Sequence, residues 1–166
     1  MGVAPIMVIM GAIYHWYPKM TGRMLDEQMG KIHFWVTFVG SYLIFFPMHY
    51  VGLVGVPRRY PELGDSAFIP ESVATLNSFI SVAAFVVGFA QVLFIYNLIS
   101  SLRNGQLAGH NPWRATTLEW QTPQTPPGHG NFDELPLVYR WPYDYSVPGA
   151  PEDFLTQNDP GQGPVE

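Results

Sequence analysis

Arg58 and Arg59 stand side by side, and their types and position could do chemistry. A guanidinium presents five N–H donors in a planar fork that matches carboxylates and phosphates, so two adjacent forks form a ready anion receptor. They close a run with no Asp, Glu, Lys or Arg since Ile32, and a second such run extends from Ser72 to Leu102. Each run is long enough to span a bilayer, which places the arginines in a short loop between two membrane helices. Bare charge is costly there, so the pair is expected to have an anionic partner. The same pattern also suits a lipid headgroup anchor or ion pairs with the loop acids Glu62 and Asp65.

The other titratable residues give weaker signals. His15, His33 and His49 fall in three separate regions with no i, i+3 or i, i+4 pairing, a pattern of hydrogen-bonded or interfacial histidines rather than metal ligands. There is no cysteine, hence no disulfide framework, thiolate metal site or thiol nucleophile. No nucleophile–base arrangement or phosphate-binding glycine loop is present, and Gly128-His129-Gly130 reads as a turn.

The elements that must position these residues follow from composition. Hydrophobic residues make up 48% of the 166-residue chain against 13% charged, a membrane-like balance. The net charge of −5 is owed mostly to a polar tail and argues against a nucleic-acid partner. The expected fold is an all-α membrane protein: the end of one transmembrane helix plus two full transmembrane helices, followed by an extended, mostly irregular cytoplasmic tail. Residues 1–104 form the helical segment, with helices near 3–17, 27–54 and 71–103, and residues 105–166 form the Pro/Gly-rich tail.

In chain order, Val3 to Tyr17 is apolar apart from His15, and about fifteen residues reach roughly 23 Å, short of a bilayer core of roughly 30 Å. Trp16 and Tyr17 mark an interface, and Pro18 with Lys19 is expected to end the helix. Asp26 is the expected N-cap of the next helix, with Glu27 favouring the helix dipole and Lys31 and His33 in the first turns. Pro47 interrupts that helix and requires packed surroundings, while Gly40, Gly52 and Gly55 permit close backbone approach. In the third helix Asn77, Ser78, Ser81, Gln91 and Asn97 form no clean stripe, and interhelical hydrogen bonds are expected without an assigned face. Lys19, Arg23, Lys31, Arg103 and Arg114 flank the first loop and the tail, putting both in the cytoplasm by the positive-inside rule and Arg58 and Arg59 outside. The tail alternates aromatics with prolines around Tyr139-Arg140-Trp141-Pro142-Tyr143; it is expected to lie over partner subunits, with the end after Phe154 disordered unless docked.

Several blocks carry a family resemblance: Tyr14-His15-Trp16-Tyr17-Pro18, Gly30-Lys31-Ile32-His33-Phe34, Phe46-Pro47-Met48-His49-Tyr50, Pro57-Arg58-Arg59-Tyr60, Asn111-Pro112-Trp113, Thr117-Leu118-Glu119-Trp120 and Asn131-Phe132-Asp133-Glu134. In order and spacing, from about residue 7 to residue 136, the chain resembles the C-terminal portion of subunit I of haem-copper terminal oxidases. The resemblance implies that Arg58 and Arg59 hydrogen-bond haem propionates and that Glu27, Lys31 and His33 lie on an inner-side proton route. It implies two haems per complex, of the A type, and copper, with the metal ligands on the remainder of subunit I. The chain is then a split-gene piece or a fragment of that subunit, not catalytic alone. Implied partners are that remainder, subunits II and III, membrane lipid and cytochrome c as donor, in a bacterial inner membrane. The activity implied for the complex is oxygen reduction to water with proton pumping. The alternative is a non-catalytic scaffold or assembly protein built from the same helices.

Overall fold

The computed structural model describes residues 3–57, 70–123, 125–145 and 152–160. Three helices make the frame: α1, Val3–Thr21; α2, Glu27–Leu53; and α3, Glu71–Asn104. Among the described residues the remainder is irregular apart from a 3-10 turn at Leu118–Trp120 and an isolated bridge between Arg23 and Leu107. Both α2 and α3 are long and apolar enough to cross a membrane. This is an all-α membrane fold of three helices and an irregular tail.

The helix ends follow local chemistry. Asp26 caps α2 by accepting from the Met29 amide at 2.8 Å, and Glu27 occupies the first turn beside the positive end of the dipole. The α1 helix runs past the expected stop at Pro18 to Thr21. Proline removes only its own donor, and one more turn closes because the Thr21 hydroxyl donates to the Tyr17 carbonyl and the Gly22 amide to the Pro18 carbonyl. Gly22 then turns the chain at a φ of 71°, where a side chain would be strained.

The chain forms two compact units, residues 26–100 and residues 1–25 with 101–166. The first is an antiparallel hairpin of α2 and α3. Its inner faces repeat every seven residues: Gly30, His33, Thr37, Gly40, Ile44, Pro47 and Val51 on α2, and Val73, Leu76, Ile80, Ala83, Val87, Ala90, Phe94 and Asn97 on α3, all buried or half-buried. This 3-4 spacing is the knobs-into-holes seam of a left-handed helix pair. At Gly40 the backbones come so close that an added Cβ would collide with the Val87 side chain. Much of the aromatic bulk points the other way, and Phe85 and Phe89 are 71% and 74% exposed. Lipid tails are as apolar as leucine, so helix pairs in a bilayer meet through small and hydrogen-bonding residues and leave bulk on the outside.

The second unit packs the tail on α1 and on the last turn of α3. Met24 donates to Gln106 and Ala108 to Gly22 across the bridge, and the Arg23 guanidinium caps the end of α3 through the Gly105 carbonyl at 2.7 Å. Trp120, 1% exposed, is the anchor of the unit. The buried Lys19 side chain of α1 donates to the Thr122 carbonyl and lies 5.9 Å from the Trp120 ring centre. Farther along, Gln157 ties three segments together. Its amide donates to the Thr116 carbonyl, its carbonyl accepts from Tyr139, and its side chain bridges the Leu118 amide and the Arg140 carbonyl. Disorder is expected after Phe154, yet residues 156–159 are held, because four polar groups on one glutamine satisfy backbone that no apolar core covers.

Candidate functional site

Within the hairpin, the polar side chains of the seam form two stations. At the end nearest Asp26, Asn97 makes a reciprocal pair with that residue's backbone: Oδ1 accepts from the Asp26 amide and Nδ2 donates to the Asp26 carbonyl, both at 3.0 Å. Asn97 is fully buried, so both halves of its amide are used where water is absent.

The second station lies two turns along α2. Gln91 Nε2 donates to the Val87 carbonyl and to Thr37 Oγ1, each at 3.2 Å, and Gln91 Oε1 lies 3.2 Å from His33 Nε2. A carbonyl can only accept, so Val87 fixes which way the amide points. The histidine nitrogen facing Oε1 must then carry a proton. The His33 ring, 2% exposed, stacks on Phe94 at 5.0 Å. The result is a fixed chain from imidazole through amide to hydroxyl, while Ser41 separately bonds the Thr37 carbonyl one turn back. It holds one buried imidazole with its Nε2–H turned toward Gln91.

The expected site residues separate in the structure. Glu27 and Lys31 pair with each other at 2.7 Å on an exposed face of α2, one turn apart, while His33 turns into the seam toward Gln91. Arg58 and Arg59 lie outside the described residues, and so do Glu62 and Asp65. Gln91 and Asn97 do make the expected interhelical bonds, whereas Ser78 and Ser81 bond back to carbonyls of their own helix. Thr37 has no signal of its own in the sequence, since one hydroxyl inside an apolar run is ordinary. Among the described residues no cluster of three His, Cys, Asp or Glu could hold a metal ion.

A hairpin of two bilayer-length helices joined by a polar seam defines an integral membrane protein. The sequence model of the family described as cytochrome c and quinol oxidase polypeptide I matches residues 1–86, and the chain belongs to that family. It is 71% identical over 161 residues to the alternative cytochrome c oxidase subunit 1 of Bradyrhizobium diazoefficiens, covering 96% of this chain and 27% of the relative. It is 44% identical over 147 residues to cytochrome c oxidase subunit 1 of Thermostichus vulcanus, covering 89% and 25%. With the subunit 1 of Corynebacterium diphtheriae it shares 44% identity over 128 residues, covering 76% and 22%. The chain thus spans about a quarter of the length of these relatives and corresponds to the C-terminal part of subunit I.

Proposed function

We propose that this chain works as the C-terminal part of subunit I in a haem-copper cytochrome oxidase that reduces oxygen to water and pumps protons. The observation that carries this reading is the 71% identity over 96% of the chain to a cytochrome c oxidase subunit 1. The haem and copper ligands belong to the remainder of subunit I, and cytochrome c is the donor to a complex that also holds subunits II and III. The membrane is the bacterial plasma membrane, with the tail on the cytoplasmic side.

In this reading Arg58 and Arg59 hold the propionates of two A-type haems. The donor chemistry fits, since two guanidinium forks match carboxylates in charge and in geometry. When bound, the haems supply electron transfer. The arginines orient them and favour the reduced forms, because each electron adds a negative charge near two fixed positive ones. His33, held by Gln91 beside Thr37, lines an inner-side proton route, and the Glu27–Lys31 pair sits at its mouth. The support is that all three lie within the first two turns of α2.

The test is to purify the chain from its native membrane in mild detergent, identify the polypeptides that accompany it and record reduced-minus-oxidised spectra. A larger subunit I piece, or subunit I sequence continuous with this chain, together with two haem signals is expected. Arg58→Gln and Arg59→Gln should then lower haem midpoint potentials by on the order of tens of millivolts. Isolation with no haem and no oxidase polypeptide would overturn the reading.

A further inference from the structure

Outside the seam, aromatic and titratable groups converge where the tail meets α1. The His15 ring stacks on Trp113 with centres 5.9 Å apart and 17° between planes, and it meets Trp16 and Trp120 edge-on at 5.8 and 5.2 Å. Trp113 is held in place by its own indole, which donates to the His15 carbonyl at 2.9 Å. Glu119 Oε1 lies 3.9 Å from His15 Nε2, and the same oxygen accepts from Trp120 Nε1 at 3.1 Å and from the Thr117 hydroxyl at 3.5 Å. The carboxylate is therefore aimed before any proton arrives.

Three indoles and a carboxylate around one ring make the kind of box that selects cations. Here the occupant is a side chain of the same protein that becomes a cation only on taking up a proton. We infer that His15, Trp113, Trp120 and Glu119 form a proton-binding site that sets how tightly residues 113–122 hold to the end of α1. The neutral ring makes aromatic contacts alone. The protonated ring adds a cation–π attraction to the indoles and a charge pair with Glu119.

The direction follows from linkage. If the closed strap binds the proton more tightly than the open one, protonation must favour closure by the same factor, so the strap tightens as pH falls and loosens as it rises. The other charged or titratable side chains of the two packed segments are Tyr14, Tyr17 and Lys19 on α1, and His110 and Arg114 beside Trp113. Lys19 faces the Trp120 ring and Thr122, and among the described residues Glu119 is the acid at ion-pair distance from His15. With His15 44% and Glu119 50% exposed at the side chain, solvent screens the pair and the effect is modest.

Hydrogen exchange of amides 113–122, in the purified membrane complex and corrected for the intrinsic rate at each pH, tests this. Protection should rise roughly three- to tenfold from pH 8 to pH 5.5 in the unaltered chain. Glu119→Gln keeps the acceptor for Trp120 and removes the charge; it should match the unaltered chain at pH 8 and lose most of the rise. His15→Gln should abolish the rise. A flat profile in the unaltered chain, or a full rise surviving in both variants, would overturn the assignment. If His15→Gln lowers protection at every pH by loosening the packing, Glu119→Gln decides.

Discussion

The hairpin of residues 26–100 and the tail unit are held in register by different bonds. In the hairpin the exterior is apolar and the interior carries Asn97, Gln91, His33 and Thr37. In the tail unit the interior is the Trp120 indole with Tyr17, Lys19, Thr116 and Thr122, and segments are joined by hydrogen bonds through Gln157. A bilayer gives no reward for hiding leucine from it, so register there is set by small residues and paired amides. In water an irregular segment has no ladder of its own, so register is set by side chains that finish other segments' backbone bonds.

The hairpin is most sensitive at Gly40. Gly40→Leu forces a branched side chain into Val87 and should cost the hairpin about 3 kcal/mol or prevent assembly, read as a lower thermal midpoint or yield of the solubilised complex. Unchanged midpoint and yield would mean that the helices do not meet there. Next is Gln91→Leu, which strips two partners at once and leaves the buried His33 nitrogen unsatisfied, at about 2 kcal/mol. A double cycle with His33→Leu should recover part of that loss, and strict additivity would show that the two side chains do not couple.

In the tail unit, Gln157→Ala removes the side-chain acceptor of the Leu118 amide and should speed its exchange roughly fivefold, about 1 kcal/mol, without moving exchange in α2. Loss of protection in both units would erase the distinction between them. The smallest effect is expected at Lys31→Ala, which breaks an exposed i, i+4 pair worth under about 0.5 kcal/mol and should leave the midpoint within error at high salt.

Much of the hairpin was legible in the sequence. Two uncharged runs predict two spans, and Asp26 followed by Glu27 marks where α2 begins. The seam was not legible, because hydropathy is high on every face of α2 and α3, and no apolar stripe stands out. The seven-residue recurrence of Gly30, His33, Thr37 and Gly40 is a pattern of smallness and polarity, which a search for apolar periodicity passes over. Ser78 and Ser81 blur it further by satisfying themselves within α3. Pro18 points to too early an end for α1, because a proline in the last turn costs one bond, not the helix.

The tail was least legible. His15 and Glu119, or Thr116 and Gln157, are joined by proximity that nothing local in the sequence announces, and a Pro/Gly-rich composition speaks for looseness. Arg58 and Arg59 stand out from sequence by charge alone, and they lie outside the described residues.

The Gln157 knot also has a consequence in time. A chain emerges from the ribosome in order, and folding generally follows that order, so α2 and α3 can pair while the tail is still being made. Thr116, Leu118, Tyr139 and Arg140 then wait with unclosed bonds until one late residue arrives to finish all four. The knot acts as a seal on synthesis: a chain that stops short of Gln157 would carry a sound hairpin and a tail that never shuts.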